Sequence, residues 1–544
     1  MRSACAGATV VLRKPIDSAI DLVQQRDLSS SASPAVTAES GHAARGDAPN
    51  VSASDPARRR EHRWLVALIL LAAVVRLATL GAYPLMDNTE ARYAEIGRKM
   101  LETGDWITPQ VQYGVPFWAK PPLSFWFTGA SFATLGVNEF AARLPQFLVA
   151  LLVACLTYGI AARRGGRDLA LRATLVLCTT PLFFIAAGAV MTDMTLALTT
   201  TLSMVGFWNA LTVDGRRGRF WGYVFFAGLG LGLVAKGPVS TVLTLAPIGA
   251  WVLFTGAWRA LWQRLPWFGG LLLAALCGLP WYFAAEARTP GFVEYFLVGE
   301  HWKRFTDSTW RGDLYGTPHA QPRGTIWLFG LVDTLPWSLV LARLLWTRRR
   351  DTVRAPAGKS DGWMLYLWLW TLASPAFFTL AGNIMFTYVI TGLPAFALLV
   401  AEAWGARPAA AATASVRPRR NRMLALAGIV VPAVMLLILL LAVPRIGAEN
   451  SHKSLVARYH TLRSSEAERL VYLWPPPASA EFYTEGKFDS AWKPGAADAY
   501  LADAPRDFFV AKRDQMGALP ASVRSRLEPV AEYGKFVLLR ESAG

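Results

Sequence analysis

Long, nearly uninterrupted apolar runs constrain this chain more than any other feature. "WLVALILLAAVVRLATL" at 64–80 and "MLALAGIVVPAVMLLILLLAV" at 423–443 approach or reach the roughly 20 residues that a helix needs to cross a bilayer. Of 544 residues, 53% are apolar and only 17% are charged, less charge than a soluble chain of that size normally carries. The chain reads as an α-helical polytopic membrane protein. Spans are expected near 64–80, 144–161, 169–187, 193–211, 221–235, 238–255, 267–284, 325–346, 363–380, 384–403 and 423–443, eleven in all.

The net charge of +17 follows the same logic. Arginines gather between apolar segments, in "RRREHR" (58–63), "RRGGR" (163–167), "RRGR" (216–219), "TRRRDTVR" (347–354) and "RPRRNR" (417–422). That is the positive-inside pattern, so the charge reports topology and not a nucleic-acid partner. The first span then starts inside, and alternating sides keeps every Arg-rich loop there. "PPLSFWFTGASFATLG" (121–136) is apolar but short. Counting it as a crossing would turn every later arginine loop outward, so it is expected to lie in the outer interface.

These readings divide the chain. Residues 1–57, rich in Ala, Ser and Asp with no apolar period, read as a disordered cytoplasmic tail, without a cleavable signal pattern. Residues 58–444 form the transmembrane unit, with outer loops 81–143 and 285–324. Residues 445–544 read as a small extracytoplasmic α/β domain: "RLVYLW", "DFFVAKR" and "GKFVLLRE" have strand character, and "PASAEFYTE" and "DAYLADA" have helical character. The four cysteines, Cys5, Cys155, Cys178 and Cys277, form no CxxC or Cys/His cluster, which argues against a disulfide framework or a zinc site. No period of 20–50 residues recurs, and the lack of inverted symmetry between the halves weighs against a secondary transporter.

Chemistry-bearing residues collect at the outer ends of the spans. In "YPLMDNTEARYAEIGRKMLETGDW" (83–106), Asp87 and Glu90 are three apart and would share a helical face, with Arg92 and Tyr93 following. A carboxylate so placed can take a proton from an attacking hydroxyl. The structural alternative makes Asp87 a helix cap and pairs Glu90 with Arg92 or Lys99. Lys120 in "GVPFWAKPPLSFW" is set by two following prolines and either donates to an anionic headgroup or snorkels at the interface. Asp193 in "VMTDMTLAL" is a functional candidate at the end of a span, or an N-cap. Lys236 in "LVAKGPVST" lies at an outer break, where a helix N-terminus favours anions. "EHWKRF" (300–305) adds Glu300, His301, Lys303 and Arg304; a lone histidine is more often structural than a metal ligand. Walker A, dinucleotide, HExxH and GxSxG signatures are all missing, which argues against a soluble nucleotide substrate. Carboxylates and cations beside lipid suit a lipid-linked phosphate donor.

Taken together, these stretches resemble the GT-C membrane glycosyltransferases, especially aminoarabinose transferases that modify lipid A and bacterial relatives of protein O-mannosyltransferases. The resemblance runs from about residue 62 to 400, with a weaker echo in the tail. It is most specific in "PLMDNTEARYAEIGRKMLETGDWITP", "PFWAKPPLSFW" and "NEFAARLP". It implies a GT-C-like fold and an inverting transferase. A sugar would move from a polyprenyl-phosphate donor to an envelope acceptor, whether a lipid A-like lipid, a glycan or a protein, on the outer face of the bacterial inner membrane. The family pattern D-x-D-E-[AT]-R-Y-A-E is matched by Asp87, Glu90, Arg92, Tyr93 and Glu95, with Thr89 replacing the second aspartate. The pattern F-E-K-P-P keeps Lys120, Pro121 and Pro122, but Ala119 stands where a glutamate helps bind a divalent metal. His301 and Arg304 match H-x-x-R-F, so His301 is the metal candidate and any divalent ion is expected to bind weakly. Tyr388 in "FTYVITGLPAF" matches a phosphate-contacting tyrosine, with Ile384 where relatives often carry lysine. On this resemblance Asp87, Glu90 and Asp193 are the catalytic carboxylates. Arg92, Lys120, Lys236, Arg304 and Tyr388 are the donor-phosphate contacts. Polyprenyl phosphate is a capable leaving group, so cations that stabilise its charge matter more than a general acid. The alternatives are a transporter or flippase of lipid-linked sugars and a non-catalytic binder of them.

Overall fold

The computed structural model describes residues 56–542 apart from 88, 308–309, 311, 317–318, 353–361, 406–415, 494 and 503–505. The tail expected over 1–57 therefore lies almost wholly outside the described residues, as does Cys5.

Two of the expected spans are the arms of one hairpin. The helix Glu139–Cys178 has 40 residues, but its backbone is non-helical at Gly165 and Gly166, the latter at φ 73°, a conformation that glycine adopts without steric cost. Asn138 caps the first arm, its side-chain oxygen accepting from the Ala141 N–H at 2.8 Å. Hydrogen bonds show that the arms run in opposite directions beside the first helix, Pro56–Ala78. Arg143, early in the first arm, donates to the carbonyls of Leu80 and Tyr83, just past the end of that helix, at 2.7 and 2.8 Å. Asp168, early in the second arm, pairs with Arg58 and His62 at its start. Ile185, beyond the second arm, accepts from Arg76 near its end at 3.0 Å. The arginine-rich turn and the outer loop 81–143 thus mark opposite ends of the bundle.

Among the described residues, six helices are long and apolar enough to cross a membrane by length and composition. Seven qualify when Thr325–Asp333 and Trp337–Thr347, bent by 95°, are counted as one. That criterion returns fewer than the expected eleven for local reasons. The hairpin merges two expected spans, Trp363–Phe378 has only 16 residues, and Glu61, Arg63 and Arg76 dilute the apolar run of Pro56–Ala78. Helix Leu123–Leu135 has 13 residues, about 20 Å of rise, short of the roughly 30 Å hydrocarbon core.

Small residues set the packing that positions the site. The antiparallel helices Asp193–Thr212 and Gly215–Lys236 approach closely because a Cβ at Gly206 would come within 2.6 Å of the Phe225 backbone nitrogen, and one at Gly228 within 2.3 Å of the Ser203 hydroxyl. The start of the first helix, Asp193, therefore meets the end of the second, Lys236. Trp208, Trp251, Trp363 and Tyr366 interlock at the other ends of these helices.

The outer segment carries a short antiparallel hairpin of β1 (Gln110–Gln112) and β2 (Val115–Pro116). The C-terminal residues build a five-stranded sheet from β3 (Leu470–Tyr472), β4 (Asp489–Ser490), β5 (Phe508–Lys512), β6 (Leu527–Tyr533) and β7 (Phe536–Glu541), in the order β4-β3-β5-β7-β6. β3 runs parallel to β4 and β5, while β7 is antiparallel to β5 and β6. The central β5 is buried over Phe508–Ala511, consistent with its unbroken apolar run. Helix Ala478–Tyr483 docks this unit on the outer segment. The Tyr483 hydroxyl accepts from the Leu85 N–H at 2.8 Å and donates to Glu139 at 2.9 Å. Lys99 pairs with Glu481 at 2.8 Å, and Phe482 joins Leu85, Ala91, Ala94 and Phe132 in one buried cluster.

Candidate active site

The two carboxylates of the first motif make contacts that fasten elements together. The Asp87 carboxylate accepts from the Ser479 N–H at 2.8 Å and the Ser479 hydroxyl at 2.6 Å. Its own N–H donates to the Asn450 carbonyl at 2.9 Å. Burial pushes the Asp87 carboxyl up, against the Ser479 hydrogen bonds and the Arg92 charge. Glu90 forms a two-pronged ion pair with Arg143, both contacts at 2.8 Å, the geometry in which a guanidinium binds a carboxylate most strongly. The Arg143 side chain is fully buried, and its remaining donors go to the carbonyls of Leu80, Tyr83 and Pro84. Asp87 and Glu90 thus have Ser479 and Arg143 as their direct partners, with Arg92 of the expected phosphate-binding cations acting on Asp87 by its charge. Both are held by side chains that sequence spacing cannot bring to mind, 392 and 53 residues away.

The cations gather elsewhere. Lys120, on the turn after β2, bonds the Ala119 carbonyl at 2.7 Å and Glu300 at 3.2 Å. Glu300 lies on the π-helical segment Tyr295–Lys303, one turn before Arg304, which meets both of its oxygens at 3.1 Å. Arg304 also pairs with Asp313 at 3.0 Å. Burial opposes ionisation of Glu300, but the Lys120 and Arg304 charges prevail and hold its carboxyl below the usual range. On the adjoining helix ends, Lys236 contacts Asp193 at 2.6 Å and lies 5.0 Å from the centre of the Tyr388 ring.

Two residues tie these pairs into one neighbourhood. His301 directs its Nδ1 at the Phe296 carbonyl, 2.8 Å away, and its Nε2 at the Lys236 carbonyl, 3.3 Å away. Burial pushes the Tyr93 phenol up, and the charges of Lys236, Asp193, Arg92 and Glu300 all reach it. Arg92 donates to the Tyr315 carbonyl at 2.6 Å, and its charge acts on Asp87 without a close ion pair among the described residues. Of the three carboxylates expected to be catalytic, Asp193 alone contacts one of the expected phosphate-binding cations.

Asp313 and Tyr315 were not singled out by the sequence. Asp313 is buried against Arg304 and accepts from the Tyr315 N–H at 2.9 Å. The Tyr315 hydroxyl donates to the Pro116 carbonyl at 2.8 Å and accepts from the Trp118 N–H at 3.1 Å. This stretch thereby stitches the Lys120 turn to Arg92 and Arg304. Its location in outer loop 285–324 was the only available signal.

A divalent ion does not fit the residues present. Both nitrogens of His301 face backbone carbonyls, Ala119 offers no donor, and Glu300 is spoken for by two cations. No group of three or more His, Cys, Asp or Glu is placed to hold a metal among the described residues. In this structure His301 instead supports the Lys236 segment through the Lys236 carbonyl.

A family model described as dolichyl-phosphate-mannose-protein mannosyltransferase matches residues 64–296. The undecaprenyl phosphate-alpha-4-amino-4-deoxy-L-arabinose arabinosyl transferase 1 of Pseudomonas fluorescens (strain Pf0-1) is 30% identical over 357 residues, 64% of this chain and 59% of that protein. The corresponding transferase of Serratia proteamaculans (strain 568) is 28% identical over 62% of this chain and 58% of its own length. The chain thus spans about three fifths of the length of the curated relatives it matches. The crystal structure of ArnT from Cupriavidus metallidurans bound to undecaprenyl phosphate superposes with a TM-score of 0.73 at 21% identity, covering 88% of this chain and 98% of that one. Its apo form gives 0.70. The protein therefore has the polytopic, GT-C-type membrane fold of ArnT, and its sequence resembles the aminoarabinose transferases.

Proposed function

We propose that the protein is an inverting glycosyltransferase that moves a sugar from a polyprenyl-phosphate donor to a lipid A-like envelope lipid. The observation that carries this reading is the convergence of Lys120, Arg304 and Lys236 beside Tyr388 at the outer end of an ArnT-like bundle. The names of the relatives, an undecaprenyl-phosphate aminoarabinose donor in one set and dolichyl-phosphate-mannose in the other, support a lipid-phosphate donor. We place the reaction on the outer face of the bacterial inner membrane, with residues 445–544 as an extracytoplasmic domain on the same side. The arginine-rich turn at the opposite end of the bundle supports that placement.

In this reading the donor's phosphate diester lies across Lys120, Arg304, Lys236 and Tyr388, with Arg92 as an additional cation. An acceptor hydroxyl attacks the anomeric carbon from the side opposite the phosphate. The new carbon–oxygen bond forms as the anomeric carbon–phosphate oxygen bond breaks, and the electron pair leaves with polyprenyl phosphate. Asp193, which contacts Lys236, is the carboxylate to which we assign the hydroxyl proton. Glu300 and Asp313 keep Lys120 and Arg304 in place when no phosphate is bound, and they share those cations with it when one is.

The test is a transfer assay with purified protein, an undecaprenyl-phosphate-linked aminosugar and a lipid A acceptor, read by mass spectrometry of the acceptor. Asp193→Asn is expected to reduce transfer by about 10²–10⁴-fold, the usual range for losing a general base, while chelator washing changes it less than about twofold. Donor binding without any transfer by the wild type would favour a non-catalytic binder, the reading to which the Thr89 and Ala119 departures point.

A further inference from the structure

The end of the bundle remote from the candidate active site contains a cleft of about 410 Å³ lined by Arg59, His62, Arg63, Val66, Ala67, Leu70 and Arg167. Six of the seven lie on the helix Pro56–Ala78 at spacings of three and four, so they form a single stripe along one face. The stripe changes character along its length: its first three members are basic and its last three are apolar. From Arg63 to Leu70 the helix rises about 10 Å. Arg167 faces this stripe from the neighbouring hairpin, immediately after the break at Gly165 and Gly166.

The charges of this cleft are not all internally balanced. Asp168 is engaged by Arg58 and His62. Arg63 and Arg167 are exposed and have no carboxylate partner among the described residues. Leu70 is 57% exposed on the same face, and Trp64, beside Arg63, is 61% exposed. Positive-inside topology accounts for arginines at this end of the protein. It does not account for their placement above an open apolar wall.

We propose that this cleft binds one anionic glycerophospholipid of the leaflet at the arginine-rich end. Its phosphate sits between Arg63 and Arg167, with Arg59 and His62 alongside, and an acyl chain lies along Val66, Ala67 and Leu70. A basic pocket beside membrane helices matches an anionic headgroup, and the apolar half of the lining selects a lipid over a soluble anion. The inference uses no residue of the candidate active site and does not depend on the proposed reaction.

The test is native mass spectrometry of the full-length protein in detergent, titrated with phosphatidylglycerol or phosphatidylethanolamine of matched acyl chains. Wild type is expected to retain one phosphatidylglycerol at least about tenfold more tightly than phosphatidylethanolamine, in line with the charge removed by two surface arginines. The pair Arg63→Gln and Arg167→Gln is expected to abolish that preference. The pair Arg63→Lys and Arg167→Lys should keep most of it, and Arg217→Gln, in a different basic segment, should leave it intact. Equal retention of the two lipids by wild type would overturn the proposal, as would a glutamine pair that binds phosphatidylglycerol like wild type. Displacement of the lipid by millimolar inorganic phosphate would also overturn it, by showing a site for free anions.

Discussion

Asp87 and Lys120 belong to the same outer segment, yet the structure gives them different work. Asp87 is tied to Ser479 through both carboxylate oxygens, and its neighbour Glu90 is tied to the buried Arg143. Those contacts join the transmembrane unit to the C-terminal sheet and close the start of the outer loop. Lys120 is paired as well, but with Glu300, a carboxylate that also serves Arg304. Lys236 likewise shares its space with Asp193 and Tyr388. One region uses its charges to fasten elements together. The other concentrates cations whose carboxylate partners can be shared with an incoming phosphate.

If that division is right, substitutions in the two regions should fail differently. After Asp193→Asn, the largest effect is expected from Lys120→Gln, which removes a cation while Arg304 continues to satisfy Glu300. Transfer should fall by about 10²–10³-fold, the range seen when one preorganised stabilising donor is lost, with folded yield close to wild type. A transfer rate within a fewfold of wild type would break the comparison on its catalytic side.

Next come the anchors. Glu90→Gln leaves the Arg143 guanidinium buried without its counter-charge and is expected to destabilise the fold by about 3–5 kcal/mol. Asp87→Asn should cost about 1.5–3 kcal/mol, the worth of hydrogen bonds to a charged group. Thermal unfolding would measure both, and hydrogen exchange over residues 478–483 should rise in Asp87→Asn. Protein that remains folded should keep near-normal specific activity.

The anchor region should also respond to pH. His452 is buried 3.9 Å from Asp87, and burial pushes its imidazole down to about 3, against an ordinary value of about 6.5. The unfolded chain binds that proton first as pH falls. The stability contributed by the neutral ring is therefore complete above about pH 6.5 and is lost progressively toward pH 3. Asp87 acts in the opposite direction, because a carboxyl raised by burial favours the folded state when protonated. His452→Gln should flatten the acid-side slope of stability between these pH values. An unchanged slope would remove His452 from the docking account.

How much of this was legible in the sequence depends on the range of the contacts. Lys120 was marked by its prolines, and the hairpin turn by "RRGGR", because both signals are local. Helix-forming and strand-forming segments of the C-terminal unit were legible for the same reason: β3, β5 and β7 fall on runs with strand character. The pairing of Asp193 with Lys236 depends on two helices closing at Gly206 and Gly228, which spacing alone does not encode. The Asp87–Ser479 contact joins residues almost 400 positions apart, so the anchoring side of this motif could not be read from local spacing.

Undecaprenyl phosphate affinity tests the central claim most directly, because it isolates the cations from the chemistry. Equilibrium binding would be measured for wild type, Lys120→Gln and Asp87→Asn, each purified as folded protein. The account expects Lys120→Gln to weaken binding by about tenfold or more, a loss of roughly 1.4 kcal/mol, and Asp87→Asn to bind within about twofold of wild type. Undiminished binding by Lys120→Gln, or a comparable loss in Asp87→Asn, would contradict it.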